Sequence, residues 1–432
     1  MFSLPRENVF SYISRVFPSW TSRPIDIPAV QTHDIEVTAD RRSRTLKHLI
    51  KANHANFSII YHDLKYHTHM PHILGSAFLL DATSEHLNEV YEHEGKMLEP
   101  WQDAPGEISE ADWRDFLGKR EYQRAFVDFF EDQLVQHGYD WKALLRTYLF
   151  DGDEPLINNM ISGLGHPLIH LAYAYELNSH TIAVEALTGT CCYYNFLHKY
   201  IDNPIYTQPP PEHLASTSPF ILLQKISQDY RFDIFSHSGD ANFDAVFEKR
   251  EDAVMEYWNA WPLIEPTKQF EQSQILAVGL LVATHGSDNK YDFFMVHLLT
   301  TSHALRVLLP VLPAGFQLTI VLQWWLLTIA VYIAQLRPEI NLDVIEKVDR
   351  EGKDWKYIDR MAVTGPHSFD THYVKALRAM KEAASAWGDE DEFFIKAAIK
   401  FADGFSGWGG FGLDAEAEVR ENSRPKKATV QT

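Results

Sequence analysis

The sequence predicts an all-α protein: a single large multi-helix domain with a buried cavity between its helices. Three observations point there. Apolar residues recur at spacings of three and four through most of the 432 residues. Alternating strand patterns and hairpin dipeptides are few. Prolines cluster at Pro204 to Pro211, at Pro310 to Pro313 and at Pro338, with apolar helical runs resuming at once on both sides, so they read as interhelical turns.

Residues 1–45 read as an N-terminal arm. Arg6, Arg15 and Arg23 lie there without an apolar stretch of signal-peptide length, and Glu7 and Asp26 are unusual for a mitochondrial presequence. Residues 46–412 form the helical catalytic domain. Within it, Thr83 to Lys96 places Leu87, Val90 and Tyr91 on one face, and Ala111 to Leu134 repeats that period through Phe116, Tyr122, Phe126, Phe129, Phe130 and Leu134. Segments 142–150, 166–200, 241–258, 269–284, 291–309, 318–335 and 370–402 follow the same rule. Leu318 to Ala334 is apolar except for Thr319, Gln323 and Thr328, near the lower limit for spanning a bilayer. Its tryptophans, Trp324 and Trp325, sit mid-segment rather than at the ends where interfacial aromatics belong, which predicts a buried core helix and no membrane. Residues 413–432, with no apolar period, read as a disordered tail.

Composition narrows the function. With 45% hydrophobic residues the chain can bury a large core. The formal net charge of -20, from 59 acidic and 39 basic residues, opposes the phosphate neutralisation that nucleic-acid binding requires. The two cysteines, Cys191 and Cys192, are adjacent and build neither a disulfide framework nor a CxxC metal knuckle. A reducing, cytoplasmic location is expected.

The chemistry lies in the histidines. His67, His69 and His72; His166 and His170; His297 and His303; and His372, three residues before Lys375, fall in four distant parts of the chain. Imidazole binds transition metals at neutral pH more readily than any other side chain. Pro71 and Pro167 mark helix starts, so His72, His166 and His170 belong in or beside first turns. Ser368 or Asp370 can cap the helix that carries His372 and Lys375 on one face. Helices from four regions can thus aim nitrogen donors into one interior. On spacing alone, His166 and His170 can face one ion or serve as a cap; His67, His69 and His72 are not expected all to point one way, so no more than two of them bind; and His303, about 240° around a helix from His297, is not expected to share its site.

Other chemistries lack an anchor. No HExxH, GxSxG or GxxxxGK[ST] occurs. Gly407 to Gly412 matches GxGxxG, but neither a preceding strand nor a following helix is expected, so no dinucleotide fold is read there.

Four stretches carry a family likeness: His69-x-x-His72 before an apolar helix; Gly165-His166-Pro167-Leu168-Ile169-His170-Leu171-Ala172-Tyr173-Ala174-Tyr175-Glu176; His297-Leu298-Leu299-Thr300-Thr301-Ser302; and Asp370-Thr371-His372-Tyr373-Val374-Lys375-Ala376-Leu377-Arg378-Ala379. Across about residues 45 to 400 the chain resembles the questin oxidase-like family of fungal secondary metabolism. The resemblance implies oxidative opening of the central ring of an anthraquinone-type polyketide by dioxygen. Two mechanisms go with it: an NADPH-dependent Baeyer–Villiger-type oxygen insertion, and a non-haem Fe(II) dioxygenase whose metal is held by four histidines and a carboxylated lysine. The histidines favour the second, acting on the reduced, hydroquinone form of the substrate, with a separate quinone reductase as partner and NADPH serving only through it. The metal ligands are then expected among His72, His166, His170, His297, His372 and Lys375, with His69 and His303 as proton donors or supporting groups. A buried lysine tends to shed its proton, and the neutral amine can capture CO2 as a carbamate, an anionic oxygen ligand. A non-enzymatic helical carrier of aromatic ligands is the contrasting expectation.

Overall fold

The computed structural model describes residues 24–284 and 290–412. The tail 413–432 and residues 1–23 of the N-terminal arm lie outside the described residues. Helices of ten or more residues are numbered in chain order: α1 Arg41–Asn56, α2 Met70–Leu79, α3 Ser84–Glu94, α4 Gln123–Gln136, α5 His166–Leu177, α6 His180–Cys192, α7 Pro219–Gln228, α8 Ala241–Asn259, α9 Pro266–Val282, α10 Phe293–Leu308, α11 Ala314–Ala334, α12 Trp355–Thr364, α13 Thr371–Trp387 and α14 Phe393–Gly404. The fold is all-α, as its period predicts. Extended pairing among the described residues is slight: β1 (Ile60–Tyr61) runs antiparallel to β2 (Tyr66–His67), and β3 (Tyr291–Asp292) parallel to β4 (Trp408–Gly409).

Local chemistry sets the helix ends. Asp40 caps α1, accepting from the amides of Arg42 and Ser43, so helix begins inside the stretch read as an arm; Ile25, Ile27 and Ile35 of that stretch are buried. Thr83 caps α3 and Asp292 caps α10 in the same way. Three runs that read as continuous helix are broken. Asn178 (φ 49°) separates α5 from α6, and Gly388 (φ 84°) separates α13 from α14. Gly118 (φ 81°), where a side chain would meet the Tyr194 carbonyl, reduces the start of the 111–134 run to short turns before α4.

The core is built around α11, almost wholly buried, with Trp324 and Trp325 inaccessible to solvent. Its length and hydropathy would also let it cross a membrane, but 94% of its apolar window is covered by the protein itself. Burying one indole contributes on the order of 4 kcal/mol. The Trp324 Nε1–H also donates to the Leu298 carbonyl at 3.0 Å, which pins α10 beside the residue preceding Leu298, His297.

Four helices close a ring next to this core. α2 packs on α5, α5 on α10, α10 on α13, and α13 back on α2. Each brings one of the four histidine-bearing stretches to the same interior.

Candidate metal centre

His67 ends β2, and His69, with φ -107° and ψ 3°, stands at the N-cap of α2, where the chain turns from strand to helix. His72 follows three residues after His69, in the first turn of α2, and helical spacing returns it to the side of His69. All three rings meet, with centroids 6.3 Å apart for His67 and His69, 5.4 Å for His69 and His72, and 5.8 Å for His67 and His72. The expectation that they diverge fails because it treats the stretch as one helix, whereas the chain turns from strand to helix at His69.

His166 opens α5 behind Gly165, whose φ of 75° places it in the left-handed region. A Cβ at Gly165 would run into Thr301 of α10, so this glycine lets the two helices approach. His170 stands one turn further on. His297 lies in the second turn of α10. Asp370 caps α13, accepting from the Tyr373 amide at 2.9 Å, and so fixes the first turn that carries His372; Lys375 follows one turn later.

The rings sort into two adjoining sets. One nitrogen from each of His69, His166, His297 and His372 lies within 4.8 Å of the others, and one from each of His67, His72 and His170 does likewise. His166, His297 and His372 thus come together with His69, which the sequence reading gives a proton-donor role. His72 and His170 converge instead with His67, and neither set contains more than two of His67, His69 and His72. His166 and His170, although one turn apart, divide between the sets. His303 joins neither: it lines a small cavity of about 10 Å3 with Tyr173, Glu176, Thr300 and Lys375, and both its ring nitrogens lack a partner.

The second nitrogen of several rings is already committed. His166 Nδ1–H donates to the Gly163 carbonyl at 2.5 Å and His297 Nδ1–H to the Phe293 carbonyl at 2.8 Å. A carbonyl only accepts, so the proton sits on Nδ1 and the Nε2 lone pair is free. Nε2 of His297 and Nε2 of His372 are buried without any partner. Nε2 of His69 and Nε2 of His166 stand 2.9 Å apart. Two ligands at right angles on one ion, each about 2.1 Å from it, would be separated by about 3.0 Å.

Burial holds these rings in the neutral form that a metal requires. It pushes His69, His72, His166 and His372 well below the usual imidazole range and His297 to about 3, and the Lys375 charge is the next cause for His69, His72, His297 and His372. Burial likewise brings Lys375 down to about 7, partly offset by Asp370 and Glu94. Lys375 is 2% exposed, with Nζ 3.5 Å from His72 Nδ1. Burial, with Asp370 second, raises Glu94 to about 7.

Sequence reasoning missed His67 as a member of a set, and it missed Glu185 and His54 entirely. Glu185 on α6 is buried and accepts from His170 Nε2–H and His54 Nδ1–H, each at 2.8 Å; His54 Nε2 in turn meets Glu131 at 3.1 Å. An acidic residue inside the apolar run of α6 was the available signal, since a buried carboxylate needs partners.

One side of the four-histidine set is aromatic. Phe293 lies 4.6 Å from His372 and 5.0 Å from His297, Trp408 lies 5.9 Å from His372, and Phe411 lies 5.0 Å from Phe293. These three aromatics are half-buried, as is His69. The glycine-rich segment at 407–412 thus covers this face rather than a nucleotide. β4 pairs with β3 just before α10, and Trp408 Nε1–H donates to the Asp370 carboxylate at 2.9 Å.

Fold and site together define a helical protein whose interior gathers neutral imidazoles suited to a divalent transition metal. The sequence pattern of the questin oxidase-like family matches residues 66–380, and the chain belongs to that family and with it to the oxygenase-type oxidoreductases. It is 24% identical to a questin oxidase of Aspergillus fumigatus, over 77% of this chain and 79% of that one. It is 22% identical to a Baeyer–Villiger oxidase of Pestalotiopsis microspora over the same shares, and 24% identical to a Baeyer–Villiger monooxygenase of Aspergillus aculeatus over 80% and 79%.

Proposed function

We propose that the protein is a non-haem iron dioxygenase that opens the central ring of an anthraquinone-type polyketide in its hydroquinone form. The observation that carries this reading is the set His69, His166, His297 and His372, with unpartnered, buried Nε2 atoms on His297 and His372. Unpaired polar atoms are costly in a protein interior, and two in one set of neighbouring rings are explained by an ion that takes their lone pairs. The donor set, neutral nitrogens with room for one anionic oxygen, fits ferrous iron. Bound there, iron would supply the binding and activation of dioxygen.

The chain's own residues do the rest. The Gly163 and Phe293 carbonyls fix the tautomers of His166 and His297, so both present Nε2 without reorganisation. Lys375, about half neutral at pH 7 and more so above it, can add CO2: its nitrogen lone pair forms a bond to carbon, one amine proton leaves, and an anionic carbamate results. His303, which lines the small cavity with Lys375 and whose ring nitrogens lack partners, can hydrogen-bond that group. His72 Nδ1 lies 3.5 Å from Nζ. The half-buried wall of Phe293, Trp408 and Phe411 offers planar faces on which a fused aromatic substrate can stack and from which water is excluded. A separate quinone reductase would deliver the reduced substrate.

The names of two relatives favour a second reading, a Baeyer–Villiger oxygen insertion, for which the family resemblance implies NADPH. Oxygen uptake separates the two. Iron-loaded protein given a chemically reduced anthraquinone should consume dioxygen with no NADPH present. His297→Ala/His372→Ala should lose iron and uptake together. Full activity in iron-free protein, or NADPH oxidation coupled to turnover without any reductase, overturns the dioxygenase reading.

A further inference from the structure

We propose that His67, His72 and His170 form a second divalent-metal site, distinct from and adjoining the four-histidine set. This goes beyond the mononuclear centre proposed above and rests on different side chains.

The three rings come from β2, the first turn of α2 and the second turn of α5, and one nitrogen from each lies within 4.8 Å of the others. Every one of them is buried. Their remaining nitrogens are held so that lone pairs are left over. His67 Nδ1–H donates to the Thr68 carbonyl at 2.6 Å, and His67 Nε2 is buried without a partner. His170 Nε2–H donates to Glu185 at 2.8 Å, which leaves the Nδ1 lone pair facing His72 Nε2 at 2.9 Å. His72 presents its other nitrogen to Lys375. A carboxylate behind a ligating histidine fixes the ring and strengthens it as a donor, and the four-histidine set has no such carboxylate in contact with its rings among the hydrogen bonds of the described residues. Three imidazoles with one position left for water is a common arrangement for zinc-like ions.

Were the trio only a hydrogen-bonded support for the first set, one proton between His72 and His170 would satisfy that pair and His67 Nε2 would still be stranded. A cation takes up all three lone pairs at once. The two sets share a border, with the His67 and His166 rings 5.1 Å apart and the His69 and His72 rings 5.4 Å apart, so two ions would be neighbours.

Stoichiometry tests the proposal without substrate. The full chain, stripped with chelator, is titrated with Co(II) and its bound metal counted by elemental analysis and visible absorption. Two ions per chain are expected. His67→Ala/His170→Ala should retain one, His297→Ala/His372→Ala should retain the other, and Glu185→Gln, a milder change, should weaken one of the two ions roughly 10–100-fold. Thermal unfolding of each metal-free variant checks that it folds. Saturation at one ion that follows His297 and His372 and ignores His67, His170 and Glu185 overturns the second site and leaves the iron reading intact. One ion that follows the trio alone supports the site described here and removes the mononuclear centre instead; no ion at all removes both.

Discussion

Lys375→Met should make the metal-free, CO2-depleted protein more stable at neutral pH, although it removes a long side chain from the centre of the site. Methionine fills nearly the same volume without the amine, so the change isolates the cost of burying nitrogen. The folded-state pKa of Lys375, about 7, lies below the ordinary 10.5. Between those values the unfolded chain holds a proton that the folded chain has released. Stability therefore rises with pH through this window, and the penalty is complete at and below about pH 7. A gap of about 3.5 units corresponds to about 5 kcal/mol, of which about 3 kcal/mol should be recovered between pH 7 and pH 9.5. The amine's approach to His72, at 3.5 Å, is too long for its removal to offset this. Denaturant unfolding of wild type and variant at intervals across that range is the assay. The variant should lead at pH 7 and its advantage should shrink by about 3 kcal/mol by pH 9.5. A difference that stays constant with pH, or a variant less stable at pH 7, would refute the claim that Lys375 is held neutral by burial, and with it the route to a carbamate.

Gly165→Ala forces a side chain into the left-handed region and into Thr301, so it should cost about 2–4 kcal/mol and weaken iron binding by shifting His166; unchanged Tm and iron content would show that the glycine is not needed there. Against burial, which lowers it, hydrogen bonds with Glu131 and Glu185 lift His54 to about 9, so its stabilisation is complete below about pH 6.5 and is lost as pH rises through about 9. Glu185→Gln should lower the His54 midpoint, followed by NMR, and remove part of that decline of about 3 kcal/mol, Glu131 holding the rest; a His54 midpoint unmoved by the substitution would show that Glu185 does not raise it.

Glu185 and His54 also mark the boundary of what local pattern can reveal. Fold class, the long helices and many of their caps could be read from the chain, because periodicity and capping depend on residues within a turn or two of one another: Asp370 before His372, Pro167 after His166, the apolar run of α11. Those same signals nominated every histidine stretch that borders the centre. They could not divide the rings into two sets. That division depends on how α2, α5, α10 and α13 close their ring, on the turn from β2 into α2 that sends His67, His69 and His72 inward together, and on the approach of α5 to α10 at Gly165. Nor could they connect Glu185 to His170, or bring Trp408 to His372 and Phe411 to Phe293, since those partners are joined by packing across long stretches of sequence. Which residues can bind a metal is a property of side-chain chemistry and is written in the sequence. Which of them share an ion is decided by a few ångströms of helix packing, and only the folded chain holds that distance.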